Sequence, residues 1–461
     1  MPISVGLILS RLHDENEKPA FIVGGCVRDA LLGNQPHDWD ICTSATPDEM
    51  LEIFDDCRAI ETGLKHGTAT LIIRGEQFEV TTFRKDGDYS DGRHPDRVEY
   101  VSDIETDLSR RDFTMNAMAW NEYSGLIDPF GGRLDLEKKL IRCVGDPDKR
   151  FQEDGLRILR ALRFASVLGF DIDAATREAI HRNKELLTHI SAERIHTELQ
   201  KMLLGRNILR ILLDFADVFA TIIPQLQPCI GFEQNNPYHQ YTVYEHIARS
   251  VAAYTGSDVV VKLALLLHDI GKPLCYSCDE RGGHFYGHAA VSKKIAKEVM
   301  ENLKFDNETA DRVVELVELH DAAFVPTIRA ARRWLNGIGE EQAFRLIEVR
   351  KADVYGQRED FFDERMQRAE TLKSMMKEVL AAADCFTLKD LAVHGNDIMQ
   401  LGISQGKQVG IILKRLLDRV IDEDLPNERE TLLLAAHKIK GELDEKEKAE
   451  CSYVSNGKTC I

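Results

Sequence analysis

The sequence predicts an α+β chain, with strands and helices mixed in a head over residues 1–140 and helices dominating beyond it. Three observations carry this reading. Short apolar or alternating runs, Phe21-Ile22-Val23, Thr68 to Arg74 and Gln77 to Phe83, lie in the first part and are punctuated by glycine turns. Runs with helical spacing follow, EDGLRILRALRF at 153–164 and VVVKLALLL at 259–267, and the last hundred or so residues read as helices. A chain of 461 residues has room for about three domains. Helical segments are expected over 141–220 and 221–360, with a helical tail over 361–461.

Phe21 to Val23 form a strand entering a core, and Gly24-Gly25 then let the backbone turn sharply and a ligand approach it closely. Arg28 and Asp29 open a short helix ending near Leu31-Leu32-Gly33. Free backbone N–H groups at such a start favour an anion, and a triphosphate suits them. In His37-Asp38-Trp39-Asp40-Ile41-Cys42, strand alternation puts Asp38 and Asp40 on one side. Neighbouring carboxylates repel and raise each other's pKa, which a hard divalent cation relieves. Mg²⁺ prefers one or two carboxylates plus substrate phosphates. A glycine turn alone is more often structural, and an isolated pair of acids is often a solvated strand end. Their occurrence within twenty residues favours a metal–nucleotide site. The strands at 68–74 and 77–83 read as a hairpin about Gly75-Glu76, and Glu79, on a face with Thr81 and Phe83, is the candidate third carboxylate.

Two later segments extend the pattern. Arg110-Arg111-Asp112-Phe113-Thr114-Met115-Asn116 places two cations and an acid before a turn, with Asp112 equally readable as a helix N-cap or an ion-pair partner. Glu153, Asp154, Arg157, Arg160 and Arg163 fall three or four apart on one predicted helix, a slanting stripe of charge. On an ordinary helix such a stripe would make surface ion pairs of little energetic weight.

GGCVRDALLG, DWDI, RRDFTMNAMA (110–119) and EDGLRILRALRF, in that order over roughly the first 210 residues, resemble the class II tRNA nucleotidyltransferases. That family comprises the CCA-adding enzymes and the related bacterial poly(A) polymerases, with a head of the polymerase-β nucleotidyltransferase type. The resemblance implies that Gly24, Gly25 and Arg28 contact the phosphates of an incoming nucleotide. It implies that Asp38 and Asp40 hold two Mg²⁺ ions with Glu79 nearby, and that Arg111, Asp112 and Asn116 bind the nucleotide and order the head. Asp154 and Arg157 would choose the base, and Arg160 and Arg163 beyond them would help bind the nucleotide. A carboxylate accepts from the exocyclic amine shared by C and A, and a guanidinium donates to a ring nitrogen or carbonyl. Residues 84–107 are polar, without period through Asp96, and DGRHPDRV within them resembles the mobile loop that family members need for the last nucleotide.

With 59 basic and 77 acidic residues and a net charge of −18, the chain is not a general nucleic-acid binder. Charge is uneven, however. Lys138 to Arg163 contains eight basic and four acidic residues, a local surplus of four, enough to grip one compact RNA end. The segment Arg194-Ile195-His196-Thr197-Glu198-Leu199 with Lys201 resembles the RNA-binding neck of the same family.

In the second half the apolar run 259–267 ends in His268-Asp269, and Gly271 and Pro273 stop it. His246 precedes it, and His288, His320 and Asp353 follow on separate predicted helices. Imidazoles with carboxylates suit a divalent transition metal and a hydrolytic water. The order resembles the HD-domain phosphohydrolases and implies phosphatase or phosphodiesterase action on RNA ends or nucleotides; a helical domain keeping only parts of such a site is the alternative.

No run is long enough to span a membrane and residues 1–20 are too polar for a signal peptide, so a cytoplasmic protein is expected. Ten cysteines lie scattered, and Cys275-Tyr276-Ser277-Cys278 has no second pair, which fits reduced thiols. Taken together the sequence predicts addition of CCA to tRNA from CTP and ATP, with poly(A) or A-only addition as the near rival. A protein-uridylylating regulator would not explain the arginine stripe, and a non-catalytic RNA-binding module would not explain two sets of metal ligands. Whether the chain pairs as a homodimer is open from sequence.

Overall fold

The computed structural model describes residues 1–60, 67–87, 97–280, 282–323, 325–382, 384–403 and 405–456, without the side chains of 359 and 446–456. The chain is a mixed α/β protein whose sheet lies in the head. It forms two compact units. The first comprises Met1–Phe232, Thr242–Leu263 and Lys297–Ala310, and the second Glu233–Tyr241, Ala264–Ala296 and Asp311–Ile461.

The first unit is built on seven strands: β1 (Ala20–Val23), β2 (Ile41–Thr43), β3 (Arg58–Ile60), β4 (Thr68–Ile73), β5 (Glu76–Thr82), β6 (Ala119–Asn121) and β7 (Gly125–Ile127). Their spatial order is β3-β4-β5-β2-β1-β6-β7. β1 and β2 are buried throughout, as their apolar side chains require, and pair antiparallel with Phe21 opposite Cys42. β2 runs parallel to β5 with Ile41 opposite Val80. Phe21, Val23, Cys42, Phe83, Leu108 and Ala119 share one core cluster. Phe83 is fully buried, so truncating it to Ala would cost about 3–5 kcal/mol.

Two local predictions shift. The β4–β5 turn falls on Arg74-Gly75, one residue earlier than expected, with φ of 54° and 83°. A two-residue hairpin turn of the favoured hand needs positive φ at both central positions, and Gly75 serves the second. Asp38 and Asp40 precede β2 in an irregular segment, where the sequence predicts a strand. The ladder still reaches this far, because Val23 N donates to Asp40 O at 3.0 Å. The expected loop keeps only its ends in view: Arg84–Asp86 pairs antiparallel with Val98–Tyr100, and Ser90 to Asp96 lies outside the described residues.

After β1, α1 (Gly25–Leu31) begins at once, with Gly24 at φ 74° and ψ −126° as its cap. Beyond the sheet, α2 (Pro147–Glu153) is followed by α3 (Leu156–Leu168) and α4 (Ala192–Leu203). The predicted single helix carrying Glu153 through Arg163 is thus two. Asp154 is extended (φ −151°, ψ 106°) and its side chain accepts from Leu156 N at 3.0 Å. An acid bonding backbone two residues ahead competes with helix continuation, and here it starts the next helix instead. α3 buries Leu156, Ile158, Leu159, Ala161, Leu162 and Ala165, and Gly169 ends it in a left-handed conformation. α4 packs along α3 through Ile195, Leu199 and Met202, a spacing of four and three that forms one face.

In the second unit, α5 (Ile328–Ile338), α6 (Glu340–Val354) and α7 (Phe362–Ala381) close on Ala331, Leu335, Ile347, Leu372 and Met376. α8 (Lys407–Ile421) and α9 (Arg429–Asn456) close on a separate core with Leu416, Leu417, Leu432 and Ala436. Among the described residues no helix is long and apolar enough to cross a membrane, and the described cysteines, Cys275 and Cys278 among them, are free thiols.

Candidate active site

Asp38 and Asp40 line two cavities of the first unit. One, of about 590 Å³, is walled by Gly24, Gly25, Arg28, Arg111, Asp112, Asn116, Asp154, Arg157, Arg160 and Arg163, the whole set predicted for the nucleotide, together with Arg110, Phe164 and Arg194. Seven guanidiniums against four carboxylates make this cavity a receptor for a polyanion. The other, of about 920 Å³, is acidic and aromatic, with Glu76, Glu79, His37, Trp39 and Phe78. Extending the parallel β2–β5 register by one residue sets Asp40 beside Glu79, so the three predicted carboxylates meet at one wall.

Asp40 keeps an exposed edge, yet the protein packed around it raises its carboxyl above the usual range. Arg111 offsets part of that rise and Asp38 adds to it. A carboxylate disfavoured in this way gains from a divalent cation, and with Asp38 and Glu79 at the same cavity the donor set fits a hard, oxygen-seeking ion. Gly24 is required twice over: its φ is positive, and a Cβ there would stand 2.8 Å from Arg111 Nη1 and 3.8 Å from Asp40 Oδ2.

A chain of four side chains ties the glycine turn to the arginine helix. Arg28 Nη1 donates to Asn116 Oδ1 at 2.9 Å, and Asn116 Nδ2 donates to Asp112 Oδ1 at 3.1 Å. Arg160 Nε and Nη2 donate to Asp112 Oδ2 at 2.8 and 2.6 Å. Of the two readings of Asp112, the structure therefore makes the ion pair, with Phe113 N as a further donor at 2.8 Å. Burial works against its charge, but Arg160 and Asn116 outweigh it and hold the carboxyl at about 2. Arg111, enclosed behind the glycine turn, reaches Cys42 Sγ at 3.4 Å and Asp107 at 3.5 Å. Arg157 donates to Glu153, to Arg150 O at 3.1 Å and to Arg110 O at 3.2 Å. Asp154 Oδ2 accepts from Arg194 at 2.7 Å, and Arg163 pairs with Glu198.

Phe164 was not singled out from sequence, although it ends the quoted motif four residues after Arg160. The guanidiniums of Arg28, Arg160 and Arg163 lie 5.1, 5.6 and 4.0 Å from its ring. Each such contact contributes about 0.5–2 kcal/mol and keeps a cation extended toward the cavity.

The second unit gathers the other predicted ligands. Asp269, His288 and His320 place ligand atoms within 4.8 Å of one another. His268 Nε2 stands 3.3 Å from Asp269 and 3.3 Å from Asp353. His268, His288 and His320 each bond through Nδ1 to the carbonyl three residues earlier, at 2.8, 2.8 and 2.7 Å. A carbonyl only accepts, so each Nδ1 carries a proton and each ring turns its Nε2 toward the carboxylates. His288 Nε2 and His320 Nε2 are 3.1 Å apart, a contact that calls for a cation or a shared proton between them. Burial disfavours a charged His268, yet Asp269 and Asp353 outweigh it and raise it to about 10, keeping a proton on Nε2 between the two carboxylates. The adjoining cavity, about 320 Å³, adds Lys272, Tyr238, Tyr286 and Arg365. His246, predicted with this set, is buried on helix Val243–Ala253 of the first unit.

The sheet, the glycine turn and the arginine cavity define a polymerase-type nucleotidyltransferase head. Residues 20–142 match the family described as "Poly A polymerase head domain", 169–230 "Probable RNA and SrmB- binding site of polymerase A", and 285–436 the tRNA nucleotidyltransferase domain 2 family. A CCA-adding enzyme of Pediococcus pentosaceus is 35% identical over 438 residues, 94% of this chain and 97% of the relative. One of Geobacillus thermodenitrificans is 50% identical over 204 residues, 44% of this chain; there the match spans half the length of the relative. The crystal structure of Bacillus stearothermophilus CCA-adding enzyme in complex with CTP superposes with a TM-score of 0.70 at 30% identity, covering 97% of this chain and 100% of that one. The Thermotoga maritima CCA-adding enzyme complexed with tRNA shares the fold, with a TM-score of 0.63 at 22% identity over 95% of this chain and 96% of that one. The chain belongs to the family of CCA-adding enzymes, tRNA nucleotidyltransferases.

Proposed function

We propose that this chain completes the 3′ end of tRNA by adding CCA from CTP and ATP. The observation that carries the reading is that Asp38 and Asp40 stand between two cavities of opposite character. The arginine-lined one suits the triphosphate; the acidic, aromatic one suits a terminal nucleoside presenting a hydroxyl. Asp38, Asp40 and Glu79 would hold Mg²⁺, which supplies activation of that hydroxyl and neutralisation of the leaving pyrophosphate. Arg28, steered by Asn116 and propped on Phe164, binds phosphate oxygens, and Arg111 holds the glycine turn against Asp40. Asp154 accepts from the base amine and Arg157 donates to the ring, so C and A fit where U and G present a carbonyl at that position. The names of relatives bound to CTP and to tRNA support the same substrates.

The test is purified protein with a tRNA lacking its terminal trinucleotide, given CTP alone and then CTP with ATP, the products being sequenced. Two cytidines and then one adenosine are expected, and Asp40→Ala should abolish addition while tRNA still binds. A run of adenosines, a lone adenosine, or Asp40→Ala retaining more than a few per cent of the rate would overturn it.

A second reading concerns the other unit. Three Nδ1-anchored histidines around Asp269 favour a divalent transition metal held by His268, Asp269, His288, His320 and Asp353. With Lys272 and Arg365 at the cavity, hydrolysis of phosphate esters on RNA ends or nucleotides is the chemistry proposed there. Phosphate release from 3′-phosphorylated or cyclic-phosphate RNA by Mn²⁺- or Ni²⁺-loaded protein, lost in Asp269→Asn, tests it.

A further inference from the structure

Asp154 sits in extended backbone between α2 and α3, outside the regular turns that would fix its side chain. Its two oxygens are held from different directions. Oδ1 accepts from Leu156 N at the start of α3 at 3.0 Å, and Oδ2 accepts from Arg194 Nη2 of α4, forty residues away, at 2.7 Å. Both side chains keep an edge to the nucleotide cavity, 17% exposed for Asp154 and 22% for Arg194. A carboxylate bonded at both oxygens has its plane set, and its remaining lone pairs point along fixed directions.

We propose that Arg194 is the positioning residue for Asp154 and thereby sets which base the cavity accepts. The inference rests on the reading of Asp154 as the acceptor for the base amine. Arg194 itself touches no base in this scheme; it aims the group that does. One turn along the same helix, Glu198 pairs with Arg163, so α4 backs both Asp154 ahead of α3 and Arg163 within it. That second pair, and the apolar seam of Ile195, Leu199 and Met202, keep α4 on α3 when Arg194 is removed. Loss of Arg194 therefore frees a carboxylate without undocking a helix. Lysine in its place would restore charge but not the fixed direction of the guanidinium N–H that bonds Oδ2.

The experiment measures kcat and KM separately for CTP, ATP, UTP and GTP on a tRNA lacking its terminal trinucleotide, in the parent, Arg194→Ala, Arg194→Lys, Asp154→Ala and the double variant. Arg194→Ala should raise KM for CTP and ATP about tenfold, the worth of one charge-assisted hydrogen bond, and lower the CTP-over-UTP ratio of kcat/KM by a similar factor. Arg194→Lys should recover part of that ratio. The double variant should be no less selective than Asp154→Ala alone, because both substitutions remove one function. A merely structural role would lower kcat/KM for all four nucleotides equally. Parental selectivity in Arg194→Ala, or additive losses in the double variant, overturns the proposal. Should Arg194→Ala fold poorly, the Arg194→Lys ratio decides, parental selectivity there again overturning it. A parent that adds nothing to the tRNA overturns the reading of the site itself; a parent that adds CCA while Arg194→Ala keeps its selectivity overturns only the role of Arg194.

Discussion

Asp112 offers the sharpest test of how the head is held together. Asp112→Asn keeps the shape and the acceptor facing Phe113 N but removes the charge that Arg160 grips with two donors at 2.8 and 2.6 Å. In the folded chain the carboxyl is held at about 2 against an ordinary 3.8, which corresponds to roughly 2 kcal/mol of preference for the charged form. Breaking a buried pair typically costs about 3–5 kcal/mol, but the Arg160 side chain is 35% exposed and water can serve it, so about 2–3 kcal/mol is expected. The sign of the pH dependence follows. A depressed carboxyl contributes stability that is fully present above its unfolded value near 3.8 and is lost as pH falls through about 2. The deficit of Asp112→Asn should thus be constant from pH 8 to 5 and shrink below pH 4. Urea unfolding read by tryptophan fluorescence measures it, in a Trp334→Phe background that leaves Trp39 and Trp120 to report on the first unit. A deficit under about 0.5 kcal/mol, or one that changes between pH 8 and 5, would refute the assignment of that energy to the Asp112–Arg160 pair.

Two further outcomes are expected. His320→Ala should weaken binding of Mn²⁺ or Ni²⁺ at least about tenfold in a metal titration while nucleotide addition stays at the parent rate; unchanged metal affinity would remove His320 from the ligand set. Shortening Ser90 to Asp96, carried between the paired segments Arg84–Asp86 and Val98–Tyr100, should leave addition of two cytidines near normal and block the terminal adenosine on a sequencing gel. A shortened variant completing all three nucleotides at the parent rate would move the switch elsewhere.

Local regularities in this sequence were enough to mark most of the chemistry. A short continuous apolar run located β1, and alternation of period two located β4 and β5 to within a residue or two, because side-chain alternation is a property of the extended backbone itself. The run 259–267 announced a buried helix ending at His268-Asp269, and steps of three put Arg157, Arg160 and Arg163 on a slanting stripe along α3. Where a local contact competes with a period, pattern misleads. Asp154 bonding Leu156 N split one predicted helix into two, and Arg74 taking a left-handed conformation moved a hairpin turn by one residue.

The partners of charged groups belong to the tertiary structure alone. Asp112 could have capped a helix or paired with any nearby arginine; it pairs with Arg160, 48 residues on, because α3 packs where it does. Arg194 meets Asp154, and His288 and His320 from separate segments converge on Asp269, for the same reason. Periodicity is enforced residue by residue through steric limits on the backbone, so a sequence carries it openly. A carboxylate accepts equally well from any donor within reach, and which donor comes within reach depends on how distant helices bury their apolar faces.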